Sequence, residues 1–191
     1  RNFQIAANRI EPVAEAECRV RLPRGNCDFQ ILIDDRPGQP VNAYQTLNDA
    51  GRPLLVFTVP LIADARNIDE IAFVMGHEAA HHIGGHIPQT QASAQAGAVA
   101  GILLGALIGR GDQSVMDAGA QLGGFVGSRQ FSKDHELEAD ALGAVIAKKA
   151  GFNPVRGSAF FDRLPDPGDQ FLGSHPPNAD RQATVRRAAG M

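Results

Sequence analysis

Cysteine is scarce in this chain, and two other features are missing altogether: a basic block and an apolar run of membrane-spanning length. The longest apolar run, residues 96–109, has 14 residues, against the ~20 a helix needs to cross a bilayer. No transmembrane helix is therefore expected. Lys and Arg number 18 against 21 Asp and Glu, a formal charge of -3, so nucleic acid is not the expected partner. The sequence opens at Arg1 and not at an initiator Met. This leads to the expectation of an N-terminus trimmed by processing, as in a secreted protein or lipoprotein.

The two cysteines, Cys18 and Cys27, flank a segment with Pro23 and Gly25 at its centre. Read as strand, turn and strand, residues 18–22 and 28–33 form a hairpin that sets the two thiols face to face. A disulfide there implies an oxidising compartment such as the periplasm or the exterior.

A length of 191 residues suits one domain, 1–191, with a substantial core. Phe3, Ala6, Ala7, Ile10, Val13 and Ala14 recur at helical spacing and predict a helix over 2–16. Residues 41–46 and 53–59 read as further strands, separated by the turn signal at 48–51. Helices are predicted over 67–84, 90–109, 113–129, 133–150, 154–163 and 176–189. Helix and sheet in 1–60, then a mostly helical 61–191, is an α+β order with a small mixed sheet of three to four strands. Within the helical part, Gly97, Gly101, Gly105 and Gly109, then Gly119, Gly123 and Gly127, line one face of each of two helices. Residues 92–129 are thus a Gly/Ala-rich helical hairpin whose backbones approach closely.

The chemistry is concentrated at His77-Glu78-Ala79-Ala80-His81. On a helix the two histidines stand ~40° apart and one turn apart along the axis, so both rings can hold one ion. Glu78 lies ~60° round from His81, outside the pair but within reach of a water on that ion. Apolar residues at Ile68, Ile71, Ala72 and Met75 mark the carrier helix as core-facing. Two neutral nitrogens and a carboxylate base are the parts of zinc-assisted hydrolysis.

A catalytic zinc takes a third protein ligand and keeps one position for water. His82 is ~100° off the shared face. His86, nine residues past His77, falls on the opposite side of a continuous helix. In Asp134-His135-Glu136-Leu137-Glu138-Ala139-Asp140, Glu136 and Asp140 share a face, whereas Glu138 is ~200° away from Glu136 and reads as a solvated charge. Glu136 is the candidate third ligand. Asp140 is the acceptor that would orient a ligand histidine, because metal-bound imidazoles usually donate their other N–H.

These motifs resemble the gluzincin metallopeptidases related to the CAAX prenyl endopeptidase and HtpX, most closely the soluble bacterial periplasmic branch that acts in outer-membrane quality control. The likeness covers about residue 40 to the end. It implies a zincin-like domain with one Zn(2+) per chain, an HExxH helix at 77–81 and an ExxAD helix at 136–140. It further implies that Asn42, Ala43 and Tyr44 form the strand along which an extended substrate pairs. His175-Pro176-Pro177 followed by Arg181 is similar to the family's His-Pro-Pro segment, which makes His175 and Arg181 catalytic stabilisers of the oxyanion. In some relatives that histidine occupies the fourth zinc position, so His175 is also a candidate inhibitory ligand of a latent form. The implied function is a zinc metalloendopeptidase acting on unfolded or extended polypeptide in the periplasm or envelope, with peripheral membrane or outer-membrane protein association as a further expectation. The alternative is a latent or inactive zinc-binding, chaperone-like module that holds extended chains without cleaving them efficiently.

Overall fold

In the computed structural model, which describes residues 1–108, 112–127, 132–163 and 177–190, the first twenty residues after Arg1 form one helix, α1 (Asn2–Arg21). Buried Ala6, Ile10, Ala14 and Cys18 succeed one another at four-residue intervals along it, the spacing of one helical face. The hairpin expected at 18–33 is therefore replaced by helix at 18–21. The Cys-Arg-Val-Arg alternation suggested a strand, but Val20 is 80% exposed, and Glu15 with Arg19 and Glu17 with Arg21 form pairs one turn apart that support helix. The disulfide is nevertheless present. It ties Cys18, in the last turn of α1, to Cys27 in the segment before the first strand, with the Cα atoms 5.7 Å apart.

Three strands follow: β1 (Gln30–Asp34), β2 (Ala43–Leu47) and β3 (Pro53–Thr58). Their order is β1-β3-β2, with β1 parallel and β2 antiparallel to the central β3. Phe29, Leu55 and Phe57 are fully buried and pack the sheet into the same core as α1. Asn42 is fastened to the end of β3 in both directions: its N–H donates to Thr58 Oγ1 at 3.0 Å, and its carbonyl accepts from Thr58 N–H at 3.0 Å. Among the described residues β2 pairs only with β3, which leaves its outer edge for another strand.

A short helix, α2 (Val59–Asp64), continues directly from β3, capped by the Thr58 hydroxyl and carrying Pro in its first turn. Next comes α3 (Ile68–Ile83), whose cap Asn67 accepts from the N–H groups of Asp69 and Glu70. Fourteen of its sixteen residues are buried, so the core-facing helix expected here is enclosed on nearly every side and is the central helix of the fold. Even its first-turn acids are enclosed, each matched by a cation: Asp69 by Arg156, and Glu70 by Arg163 at 2.8 Å.

The remaining helices are α4 (His86–Ile108), α5 (Gln113–Gly127), α6 (Lys133–Lys149), α7 (Pro154–Ser158), a 3-10 turn (Ala159–Arg163) and α8 (Asn178–Ala189). Helices α4 and α5 pack mainly against each other. A Cβ at Gly105 would lie 2.7 Å from the Val115 carbonyl, so glycine there is what the close approach requires. Val99, Leu103 and Leu104 of this hairpin are exposed.

The disulfide closes a nine-residue separation, a loop whose cross-linking is worth about 2.5 kcal/mol through the unfolded chain. Replacing both Cys18 and Cys27 by Ser is expected to lower Tm by about 5–10 °C in thermal unfolding followed by circular dichroism.

Candidate metal centre

The site is made where α3 crosses α6. A Cβ on Gly76 would sit 2.8 Å from the Gly143 carbonyl, and one on Gly143 would sit 2.8 Å from the His77 backbone nitrogen. Only two glycines let the backbones come this close. Gly143, Asp140 and Glu136 follow one another at helical spacing on the same side of α6, so the crossing lays both carboxylates over His77 and His81. Neither glycine was singled out from the sequence. An isolated glycine inside each helical pattern was the available signal.

Nε2 of His77 and Nε2 of His81 are 3.0 Å apart. Glu136 lies 3.8 Å from the first and 3.5 Å from the second. Tetrahedral coordination with bonds of ~2.1 Å separates ligand atoms by about 3.4 Å, so the three donors fit a single zinc-sized ion. Among the described residues these are the His, Cys, Asp and Glu side chains that converge closely enough to share one. All three are buried.

Behind the donors stands a second set of contacts. His77 Nδ1 is 2.9 Å from Asp140 Oδ1, the contact that spacing had suggested for this aspartate. Asp140 in turn accepts a two-pronged contact from Arg181, Nε at 2.7 Å and Nη2 at 2.8 Å. Arg181 is 3% exposed, its Nη2 reaches within 3.5 Å of Glu136, and its guanidinium lies 3.4 Å over the Phe161 ring. The oxyanion role implied by the resemblance called for a cation turned to the substrate. Arg181 borders the cleft, but its fork is engaged by Asp140. Phe161, which also packs edge-on to His77, had no sequence signal beyond its hydrophobicity. His175 lies outside the described residues.

Electrostatics distinguish the two histidines. Burial opposes charge on His77, but the hydrogen bond and charge of Asp140, with Glu136 nearby, outweigh it and raise its pKa. For His81, burial and then the neighbouring His77 and His86 all push the pKa down, which keeps this ring neutral. Burial raises the Glu78 carboxyl to about 7, against smaller opposing effects that include a hydrogen bond from the Gln45 backbone.

Two sequence expectations need correction here. His86 is not on the far side of a continuous helix: α3 stops at Gly84 and Gly85, the latter with φ +66°, and the turn folds His86 back until its Nδ1 is 2.9 Å from His81 Nδ1. Glu138 is largely exposed, as expected, but one of its oxygens is 3.5 Å from His86 Nε2, so it is more than a solvated charge. His82 does point elsewhere, its Nε2 lying 2.7 Å from the Asn26 carbonyl.

The donors face a cleft of about 590 Å³. Asn42, Ala43, Tyr44 and Gln45 form one wall, and Leu61, Val74, Phe160 and Phe161 supply apolar surface. The β2 edge thus lies beside Glu78 and the donor triad.

A three-donor site opening on a cleft, with a carboxylate of unusual basicity beside it, puts the chain among the metallopeptidases whose third ligand is a glutamate. The particular group follows from comparison: the model of peptidase family M48 matches residues 6–189, and the chain belongs to that family of metal-dependent peptidases. No curated protein matches the sequence.

Asp140 has no solvent exposure, so removing the cation that neutralises it is costly. Arg181→Leu is expected to destabilise the metal-free protein by about 3–5 kcal/mol, read as a lower urea midpoint.

Proposed function

We propose that this M48 peptidase is a zinc endopeptidase that cuts unfolded or extended segments of polypeptide in the bacterial envelope. The observation that carries the reading is the juxtaposition along one cleft of the donor triad, Glu78 and β2, whose outer edge pairs with no other strand among the described residues. His77, His81 and Glu136 would hold the zinc. When bound, zinc supplies the Lewis acidity that activates a water and polarises a scissile carbonyl.

The protein's own groups do the rest. Residues 42–45 offer an edge to which an extended chain adds as a strand, which selects for segments free of competing structure. Glu78 takes a proton from the attacking water on its carboxylate and delivers it to the leaving amine. Burial raises the basicity of that carboxylate, which suits it to proton transfer near neutral pH. Asp140 holds the His77 ring, and Arg181 holds Asp140. The positive charge of Arg181 at the cleft wall also favours the negative charge that builds on the carbonyl oxygen. The Cys18–Cys27 disulfide supports an oxidising compartment, where such bonds persist.

The experiment is cleavage of an unfolded protein by the metal-free and the zinc-loaded enzyme. Cleavage should require zinc and stop with a chelator. Glu78→Gln is expected to reduce kcat at least 100-fold with one zinc still bound per chain. A Glu78→Gln variant that cuts as fast as the parent would refute the assignment of the base.

The pH profile has a determined direction. Glu78 works only when deprotonated, so kcat/KM falls as pH drops through its pKa. Burial places that pKa near 7 in the metal-free protein, and a nearby dication favours the charged form. The acid limb of the zinc enzyme is therefore expected below pH 7, as measured on a fluorogenic peptide.

A further inference from the structure

We propose that His86 is a positioning residue for the metal centre, accepting a hydrogen bond from His81 and so fixing the tautomer that presents His81 Nε2 to the ion. The proposal rests on the zinc reading above. A histidine that offers Nε2 to a metal carries its proton on Nδ1. In His81 that Nδ1 is 2.9 Å from Nδ1 of His86, so the proton in this contact belongs to His81 and His86 accepts it. A neutral ring that accepts at Nδ1 is protonated at Nε2. In His86 that atom faces Glu138, with Oε2 at 3.5 Å. Donation then runs one way, from His81 to His86 and from His86 toward Glu138.

His86 cannot itself be a fourth ligand in this arrangement. It approaches His81 from Nδ1, across the ring from the nitrogen that faces His77 and Glu136. The two ligand histidines thus have unlike supports. His77 has the carboxylate of Asp140, itself held by Arg181, and His81 has a neutral imidazole.

The local chain is shaped to deliver this ring. A Cβ on Gly84 would stand 2.4 Å from His86 Nε2, and the positive φ of Gly85 turns the chain back toward α3. His86 is fully buried. His135 stacks on it at 4.4 Å with the planes 9° apart, and is steadied through its Nε2, 3.0 Å from Gln89 Oε1. The His86 ring is therefore held in orientation as well as in place.

The test compares His86→Phe, which keeps a stacking ring but has no acceptor, with His86→Asn, whose amide oxygen can stand where Nδ1 stands. Zinc dissociation constants are measured by competition with a chromogenic chelator, on protein shown to be folded by circular dichroism. His86→Phe is expected to bind zinc 10–100-fold more weakly and to change the visible spectrum of the cobalt-substituted protein. His86→Asn should stay within about threefold of the parent, since it preserves the accepted hydrogen bond. Parent-like affinity in folded His86→Phe, or equal weakening by both variants, would overturn the proposal. If His86→Phe does not fold, the exposed Glu138→Ala decides: at least threefold weaker zinc binding supports the relay, and unchanged binding overturns it. Failure of the parent protein to bind zinc would instead sink the metal reading on which the proposal rests.

Discussion

The contact between Gly76 and Gly143 governs the site. Helices pack at 8–10 Å when ordinary side chains lie between them. Here the two Cα positions carry no side chains, and each backbone sits where the other's Cβ would be. Were the helices spread by even one methyl group, Glu136 would withdraw from the histidines by a comparable distance. Metal coordination tolerates only a few tenths of an ångström. The steric demand at the crossing thus becomes a geometric demand on the ion.

Around that crossing the interior holds many ionisable groups: three histidines, Glu78, Glu136, Asp140 and Arg181 among the buried residues. Charges taken out of water are stable only in matched and hydrogen-bonded sets. Asp140 shows how the matching is done, with Arg181 on one side and His77 on the other. One buried cation therefore stabilises α6 against α8 and orients a donor on α3. Beside this set Glu78 has a weaker complement, and burial drives its pKa upward. The contrast between a well-compensated Asp140 and a poorly compensated Glu78 is what separates a supporting carboxylate from a reactive one.

Much of this was legible along the chain, and the failures are informative. Helix geometry by itself put His77 and His81 on one face and Glu136 with Asp140 on another, because positions within a helix are related by a fixed rotation. The same rule misplaced His86, since a rotation holds only while the helix continues, and the turn at Gly84 and Gly85 ends it. Residues 18–21 were misread because a short alternation of polar and apolar side chains fits a strand locally. Burial of Cys18 one turn beyond Ala14 shows the longer helical period winning. Gly76 and Gly143 passed unnoticed because a glycine's significance lies in what approaches it, which no local pattern displays.

The sequence by itself determined the reacting groups and their spacing on each helix, since both depend only on residue identity and on the regular geometry of the backbone. It also determined family membership, which the match over residues 6–189 expresses. Only the tertiary structure decided which face of α6 meets α3, that Arg181 is clamped on Asp140, that β2 lies at the cleft, and that His86 folds back on His81. Those relations join residues as far apart in the chain as Asn42 and Arg181, which line one cleft. They depend on which surfaces exclude water against each other, a property of the packed chain and not of any segment of it.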